Sequence, residues 1–459
     1  MKYKIKNLSH LILFLFSLIT SYTLGLVYYD STKGLDFSYY YPNVKFFMDE
    51  KVNIFHSDGS LYFYIISNKL SNQITPINQE ESLILLNNSI QFINFLMFFI
   101  GLLGLVILFR KKGYDFEKIF LGLTVLCFFP TAYYFRLTMK PEIMAFALIP
   151  WILINLDSYF LKRTRLNLLL STILLGCALT IKGTVTGMLI LSLAFLYRKK
   201  IYKSFDVFVL TICTLFCSLL AIFANYKITN IWLFEQRPSS DSADPNRWQN
   251  TANFDFFWNI DLRNLYENPF KYIHSDSFIS ITLLDTLSDY FHFFWKHQED
   301  TNFIAFNRVE FTNNFLIQTY LSEYISIVFT CLMYLSFVIL YFKKVKNNEF
   351  LILPFFGIII LIIISLGFPY KNFDPSTGDL FKVHYYSFLI AFSFFALLVI
   401  TMSKYRFSKY LVLFLIPVFL ITMGFPKNLD LDTKEAMYDK LNYSEICSIY
   451  NFIDEIKCK

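Results

Sequence analysis

Apolar residues fall in long runs separated by short charged clusters, and neither a two-residue nor a strict 3.6-residue alternation dominates. Runs that are hydrophobic all round belong to helices in a hydrocarbon environment. A hydrocarbon core about 30 Å thick takes roughly 20 apolar residues per helix. On that measure the candidate spans lie near 9–29, 88–109, 117–135, 141–160, 165–182, 184–197, 204–226, 321–342, 350–369, 384–402 and 408–425. Only Lys182-Gly183 separates the fifth from the sixth, so 165–197 reads equally as two spans or as one broken helix. The first run follows Met-Lys-Tyr-Lys-Ile-Lys but has no small-residue cleavage site, and it reads as a retained span.

Basic residues decide orientation. They cluster at Lys2/Lys4/Lys6, Arg110/Lys111/Lys112/Lys118, Lys162/Arg163/Arg165, Arg198/Lys199/Lys200/Lys203, Lys343/Lys344/Lys346 and Lys404/Arg406/Lys409. With eleven spans all six clusters share one side, which puts the N-terminus in the cytoplasm and the C-terminus outside. The expected fold is therefore an all-α polytopic membrane protein of about eleven transmembrane helices. Residues 1–426 form its membrane domain and 427–459 a short extracytoplasmic tail. The long outer segments 30–87 and 227–320 carry enough aromatic residues to fold as helices on the membrane surface.

Composition agrees with this reading. Of 459 residues, 55% are hydrophobic and 17% charged, against about 25% charged in a soluble domain. The net charge of +6 resides in the loop clusters and does not indicate a nucleic-acid partner. Five cysteines (Cys127, Cys177, Cys213, Cys217, Cys331) lie in spans as small packing residues. Cys447 and Cys458 lie in the outer tail, where an oxidising compartment would let them pair. No Cys/His cluster has zinc spacing, and no internal repeat is visible.

Ionisable residues at membrane depth or crowded at its edge are costly, and they mark candidate sites. Asp30 and Asp36 follow the first span; either they cap short helices or one serves as a general base. Arg136-Leu-Thr-Met-Lys140-Pro141-Glu142 forms the outer turn between the third and fourth spans. Helix-start chemistry accounts for Pro141 and Glu142 but not for the two cations. Lys182 is the sole charge between Arg165 and Arg198, and it either snorkels to the surface or meets an anion. Lys382 and His384 stand at the edge of the tenth span. Carboxylates and cations thus gather on one outer face, which suits an anionic lipid-linked donor and a hydroxyl acceptor.

In these features the chain resembles the GT-C superfamily of polyprenyl-phosphate-sugar-dependent glycosyltransferases, which includes protein O-mannosyltransferases and the aminoarabinose transferases of lipid A. The resemblance rests on Gly34-Leu35-Asp36-Phe37…Tyr40 followed by Gly59-Ser-Leu-Tyr-Phe-Tyr, on Arg136…Lys140-Pro141-Glu142, on Leu179-Thr180-Ile-Lys182-Gly183, and on Lys382-Val-His384-Tyr385-Tyr386. Ser277-Phe278…Leu284-Asp285-Thr286-Leu-Ser-Asp289 also looks like a segment of bacterial members. The acidic pair common in the first loop of many members is a single Asp36 here, unless Asp30 helps.

The resemblance implies a GT-C-like core and an inverting transfer of a hexose or pentose to a glycan, lipid or protein hydroxyl. Asp36 would be the catalytic base, and Lys182, Lys382, His384 and Arg136 would bind the donor phosphate. Glu142 and Asp30 would supply a second acid or ligands for a divalent metal such as Mg or Mn, and no organic cofactor is expected. The setting would be a multi-pass protein, most simply of a bacterial inner membrane. Two other readings stay open: an O-antigen polymerase or ligase, which relies on outer-loop arginines, and a transporter or flippase, which commonly shows two related halves.

Overall fold

A computed structural model describes residues 2–29, 35–49, 58–73, 79–162, 164–201, 205–230, 254–267, 277–287, 313–367, 383–405 and 408–423, with single positions at 31, 52, 269 and 274. All regular structure among these residues is helical. In chain order the helices are α1 (Lys2–Tyr28), α2 (Leu35–Phe47), α3 (Ser60–Ser71), α4 (Gln79–Lys111), α5 (Phe116–Leu126), α6 (Pro130–Leu137), α7 (Glu142–Lys162), α8 (Arg165–Leu179), α9 (Gly183–Ile201) and α10 (Phe205–Thr229). Three short helices follow, α11 (Phe254–Trp258), α12 (Leu262–Glu267) and α13 (Phe278–Asp285). The chain then continues through α14 (Asn313–Phe342), α15 (Leu353–Gly367), α16 (Ser387–Lys404), α17 (Ser408–Leu413) and α18 (Leu415–Met423). Short 3-10 turns at Asn348–Ile352 and Val383–Tyr386 lead into α15 and α16.

Among the described residues, six helical stretches are long and apolar enough to cross a membrane: Leu8–Val27, Ser82–Lys111, Glu142–Lys162, Thr211–Thr229, Leu321–Phe342 and Val383–Lys404. A seventh arises if α5 and α6 are one broken span, bent by 63°. The chain is thus a multi-pass helical protein. The expected span 117–135 is not a single rod. Phe129 adopts an extended conformation and Pro130 opens α6 at a first-turn position, where a missing N–H costs nothing. The expected last span is likewise divided, into α17 and α18.

Large apolar side chains face outward along α1, α10 and α14, among them Phe16, Leu219, Phe223 and Leu332. Such a surface is at home in lipid and not in water. By contrast α16 is buried along nearly its whole length and forms the centre of the bundle. Phe394 stacks on Phe129 at 4.1 Å between centroids, and Phe395 meets Phe109 edge-on at 4.8 Å. Small residues let the helices close up. A Cβ at Gly101 would come within 2.6 Å of the Phe146 ring, and one at Gly122 within 3.0 Å of Phe395.

The two ends of the bundle differ in chemistry. At one end Asp157, near the end of α7, bridges Lys112 at 3.0 Å and Lys200 at 3.4 Å and accepts from the Tyr197 hydroxyl. Tyr114 donates there to the Lys346 carbonyl, and His10 lies 4.0 Å from Glu117. Loops carrying five of the basic clusters therefore meet at this end, as the charge pattern anticipates.

The same contacts settle the hairpin question at 165–197. Lys182, just before α9, touches Glu142 at the start of α7, while Tyr197 and Lys200 touch Asp157 near its end. Hence α9 runs alongside α7 in the same direction. The connection from Lys162 to Arg165 is too short for α8 to do anything but run back against them. The chain at 165–201 is therefore a hairpin of two helices, α8 and α9.

This arrangement is checked by side-specific thiol labelling. In a background lacking the native cysteines, cysteines at Ser158 and Arg198 are expected to react from one side of the membrane and one at Asn72 from the other. Labelling of all three from one side would overturn the arrangement.

Candidate functional site

The end opposite the basic loops is built around the α6–α7 turn. The α6 helix stops at Leu137 because Thr138 is extended. Asn94, fully buried on α4, then donates to the carbonyls of Arg136 and Thr138, both at 2.8 Å, and accepts from Tyr62 at 2.6 Å. One amide so satisfies backbone acceptors that the end of a helix leaves open. Gly59 approaches the same turn with φ +65°, and a Cβ there would lie 2.5 Å from Pro141. Only glycine permits both that φ and that approach, and together they hold Asp58 at the head of α3 beside Glu142, the first residue of α7.

Lys182 reaches this place because the chain breaks between α8 and α9. Thr180 donates back to Cys177, and Thr186 donates to the carbonyls of Leu179 and Lys182, so the break keeps its backbone satisfied. The Lys182 ammonium sits 3.1 Å from Glu142 Oε1, 3.1 Å from the Tyr40 hydroxyl and 4.5 Å from the centre of the Tyr385 ring. Glu142 is fully buried, and its Oε2 has no hydrogen-bond partner among the described residues. Asp58 is buried as well. Burial pushes its carboxyl up to about 6, with Lys182 pulling it down and Glu142 pushing it up. Glu142 thus contacts the ammonium, and Asp58 feels the field of both members of the pair.

An aromatic ladder continues from this pair. Tyr385 meets His384 edge-on at 4.3 Å, His384 lies 5.6 Å from Tyr134, and Lys140 rests 5.5 Å from the Tyr134 ring centre. Both lysines are therefore held over tyrosine faces, an arrangement that is favourable where water is scarce. Lys140 and His384 are buried.

Of the residues singled out from sequence, Glu142, Lys182 and His384 come together here. Arg136 is placed differently. Its guanidinium turns away to α1, donating to Ser21 Oγ and to the Ser21 carbonyl, both at 2.8 Å, and lying 4.2 Å from the Tyr133 ring centre. It ties α6 to the first helix, and the second cation near His384 is Lys140. Asp36 lies on α2 one turn before Tyr40, but its side chain falls outside the described residues, as do Asp30, Lys382, Cys447 and Cys458.

Sequence reasoning passed over Asp58, and it quoted Asp285 only within the segment Ser277–Asp289 without giving it a role. The first could have been found as an Asp-Gly pair directly ahead of the apolar helix α3. Of the aromatic residues marked in the long outer segment, Phe256 and Phe257 are buried and Phe254 and Trp258 exposed; Phe291, Phe293, Phe294 and Trp295 lie outside the described residues.

Among the described residues no three His, Cys, Asp or Glu side chains are grouped to hold a metal ion. The Lys182 ammonium already occupies Glu142 Oε1. Comparisons with protein-family models, with curated proteins and with solved structures find no match.

Two outcomes follow from the buried charges. Removing one partner of a buried pair strands the other, at a cost of about 3–5 kcal/mol, whereas replacing both by apolar groups is often near neutral. Lys182→Met and Glu142→Leu are each expected to lower thermal stability in detergent, and the double variant to recover most of the loss. An additive double variant would show that the pair is not coupled.

For Asp58, a carboxyl held above its unfolded value favours the folded state at low pH. That contribution is present below 3.8 and is lost as the pH rises towards about 6. Melting curves of Asp58→Asn and wild type should therefore converge near pH 4, with the variant the more stable at pH 7. A difference constant across that range would remove the buried-acid assignment.

Proposed function

We propose that this protein is a membrane glycosyltransferase of GT-C type, moving a sugar from a polyprenyl-phosphate donor to a hydroxyl acceptor on the extracytoplasmic side. The observation that carries the reading is the buried Glu142–Lys182 pair, with Tyr40, Tyr385 and Asp58 around it, at the end of the bundle opposite the basic loops. Charges sequestered in an apolar bundle are costly, which makes them candidates for function. The proposal includes eleven spans, with α8, α9, α15 and the α17–α18 pair completing the count, a cytoplasmic N-terminus and an outer C-terminus.

In this reading Asp36 takes the proton of the acceptor hydroxyl, whose oxygen attacks the anomeric carbon. The bond from that carbon to the phosphate oxygen breaks, its electron pair leaves with the polyprenyl phosphate, and the anomeric centre inverts. A phosphate leaving group needs no general acid. It needs positive charge held in place as its own charge grows. Lys182 and Lys140 supply ammonium groups within the described residues, and Lys382 supplies a third by its place in the chain. Tyr40, on the helix that carries Asp36, hydrogen-bonds Lys182 and so couples the first outer segment to the cation.

Release of polyprenyl phosphate from a panel of polyprenyl-phosphate sugars, with membrane lipids and glycans as acceptors, tests this. Wild type is expected to turn over at least one donor, and Asp36→Asn to lose about 100-fold or more in kcat. Equal turnover in both proteins would remove Asp36 as base. No turnover by wild type with any donor would overturn the transferase reading and favour a polymerase or a transporter.

A further inference from the structure

Lys182 and Glu142 are placed by the long helices they open, but the Tyr385 ring beneath the Lys182 ammonium is not. It belongs to the 3-10 turn Val383–Tyr386, four residues that lead into α16. So short a turn makes few hydrogen bonds of its own, and its first N–H has no partner within it. Contacts from other elements must fix it. On one side α15 touches its far end, where a Cβ at Gly357 would lie 2.4 Å from the Tyr386 Cβ. On the other side Asp285, the last residue of α13, holds its beginning. Asp285 Oδ2 accepts the Val383 N–H at 2.8 Å, across 98 residues of sequence. Both residues are buried, so water does not compete for the bond. A carboxylate acceptor also makes it stronger than a bond between neutral groups.

The helix that carries Asp285 is itself anchored. Ser277 caps α13 by accepting the Ser280 N–H at 3.2 Å, and it donates to the Asn259 carbonyl. Ile281 and Leu284 are buried, and α13 packs on α14. Directly after Asp285, the Thr286 carbonyl accepts from Thr131 on α6. The long outer segment thus brings one carboxylate, on a docked helix, to the one turn that lacks an acceptor of its own.

Val383 precedes Tyr385 by two positions, and the Tyr385 ring centre lies 4.5 Å from the Lys182 ammonium and 4.3 Å from the His384 ring. A shift of the turn would carry both rings with it. A role for Asp285 in direct contact with a substrate fits less well, because Oδ2 is already committed to a backbone N–H.

We infer that Asp285 is a positioning residue: from the long outer segment it fixes the 3-10 turn and thereby seats the Tyr385 ring on the Lys182 ammonium. Its consequence for turnover rests on the transferase reading, whereas the seating of Lys182 does not.

Two readouts test this, the first independent of turnover. Acetylation of Lys182 by a small amine-reactive reagent is followed by mass spectrometry in detergent, with Lys112, at the opposite end of the bundle, as the reference for general loosening. Asp285→Ala is expected to raise the Lys182 rate relative to Lys112 about tenfold, the scale of losing a hydrogen bond to a charged group. Asp285→Asn, whose side-chain carbonyl still accepts the Val383 N–H, should stay close to wild type. In a Tyr385→Leu background Asp285→Ala should have almost no further effect, whereas independent changes would multiply. With any donor that wild type turns over, kcat should fall in Asp285→Ala and be restored in Asp285→Asn.

An unchanged Lys182 rate in Asp285→Ala, or an equal rise at Lys182 and Lys112, would overturn the positioning role. So would an Asp285→Asn variant as impaired as Asp285→Ala, or full multiplication in the Tyr385→Leu background. A loosened Lys182 with unchanged kcat would overturn the consequence for turnover alone. Labelling as expected, with no donor turned over by wild type, would leave the seating standing and remove the transferase reading.

Discussion

An ammonium group inside an apolar helical bundle has to meet a carboxylate, and the Lys182–Glu142 contact of 3.1 Å is where this chain obeys that constraint. Three separate features serve it. The chain breaks between α8 and α9 and closes the break with threonine hydroxyls, so Lys182 is delivered sideways and does not run on in a helix. Pro141 opens α7, which puts the Glu142 carboxylate at the helix's positive end. Gly59 packs on Pro141 and brings the first outer segment down over the pair. A change in any one of these would strand a charge, and a stranded charge is far more expensive here than a lost apolar contact.

The opposite end of the bundle works by the same rule with different consequences. Asp157 is one carboxylate among many lysines and arginines, and it ties the ends of α4, α7 and α9 together. Its partners Lys112 and Lys200 are partly exposed, so this cluster acts as a clasp open to solvent. Because α7 and α9 are fixed at both ends, by Asp157 below and by Glu142 above, the height of Lys182 relative to the α6–α7 turn is set by two helix lengths. Precision at the candidate site is therefore inherited from rigid helices, not from the outer segments alone.

The helical, many-pass architecture was legible because hydropathy reports it directly: apolar runs and charged breaks are the whole of the signal. Lys182, Glu142 and His384 were legible for a related reason, as ionisable groups in surroundings that make them costly. The break before Pro130 was not, since Cys127-Phe-Phe-Pro130 is as apolar as its flanks and a 63° bend leaves no mark in hydropathy. Nor could Arg136 and Lys140 be told apart, both being cations in one short turn. Their difference comes from the end of α6 between them. Arg136 is still helical and faces α1, while Lys140 lies beyond the extended Thr138 and faces Tyr134. Asp58 was hidden in a segment where an acidic residue next to Gly reads as an ordinary turn.

Position along the ladder is the last consequence of this geometry. Lys182 rests on Tyr385 and Lys140 on Tyr134, the two outer rings of the Tyr385–His384–Tyr134 ladder. In the proposed transfer, negative charge that builds on a leaving phosphate would gain from ammonium groups already held in place, and it would gain most when the bond is partly broken. Fixed cations of this kind would therefore favour cleavage more than ground-state binding.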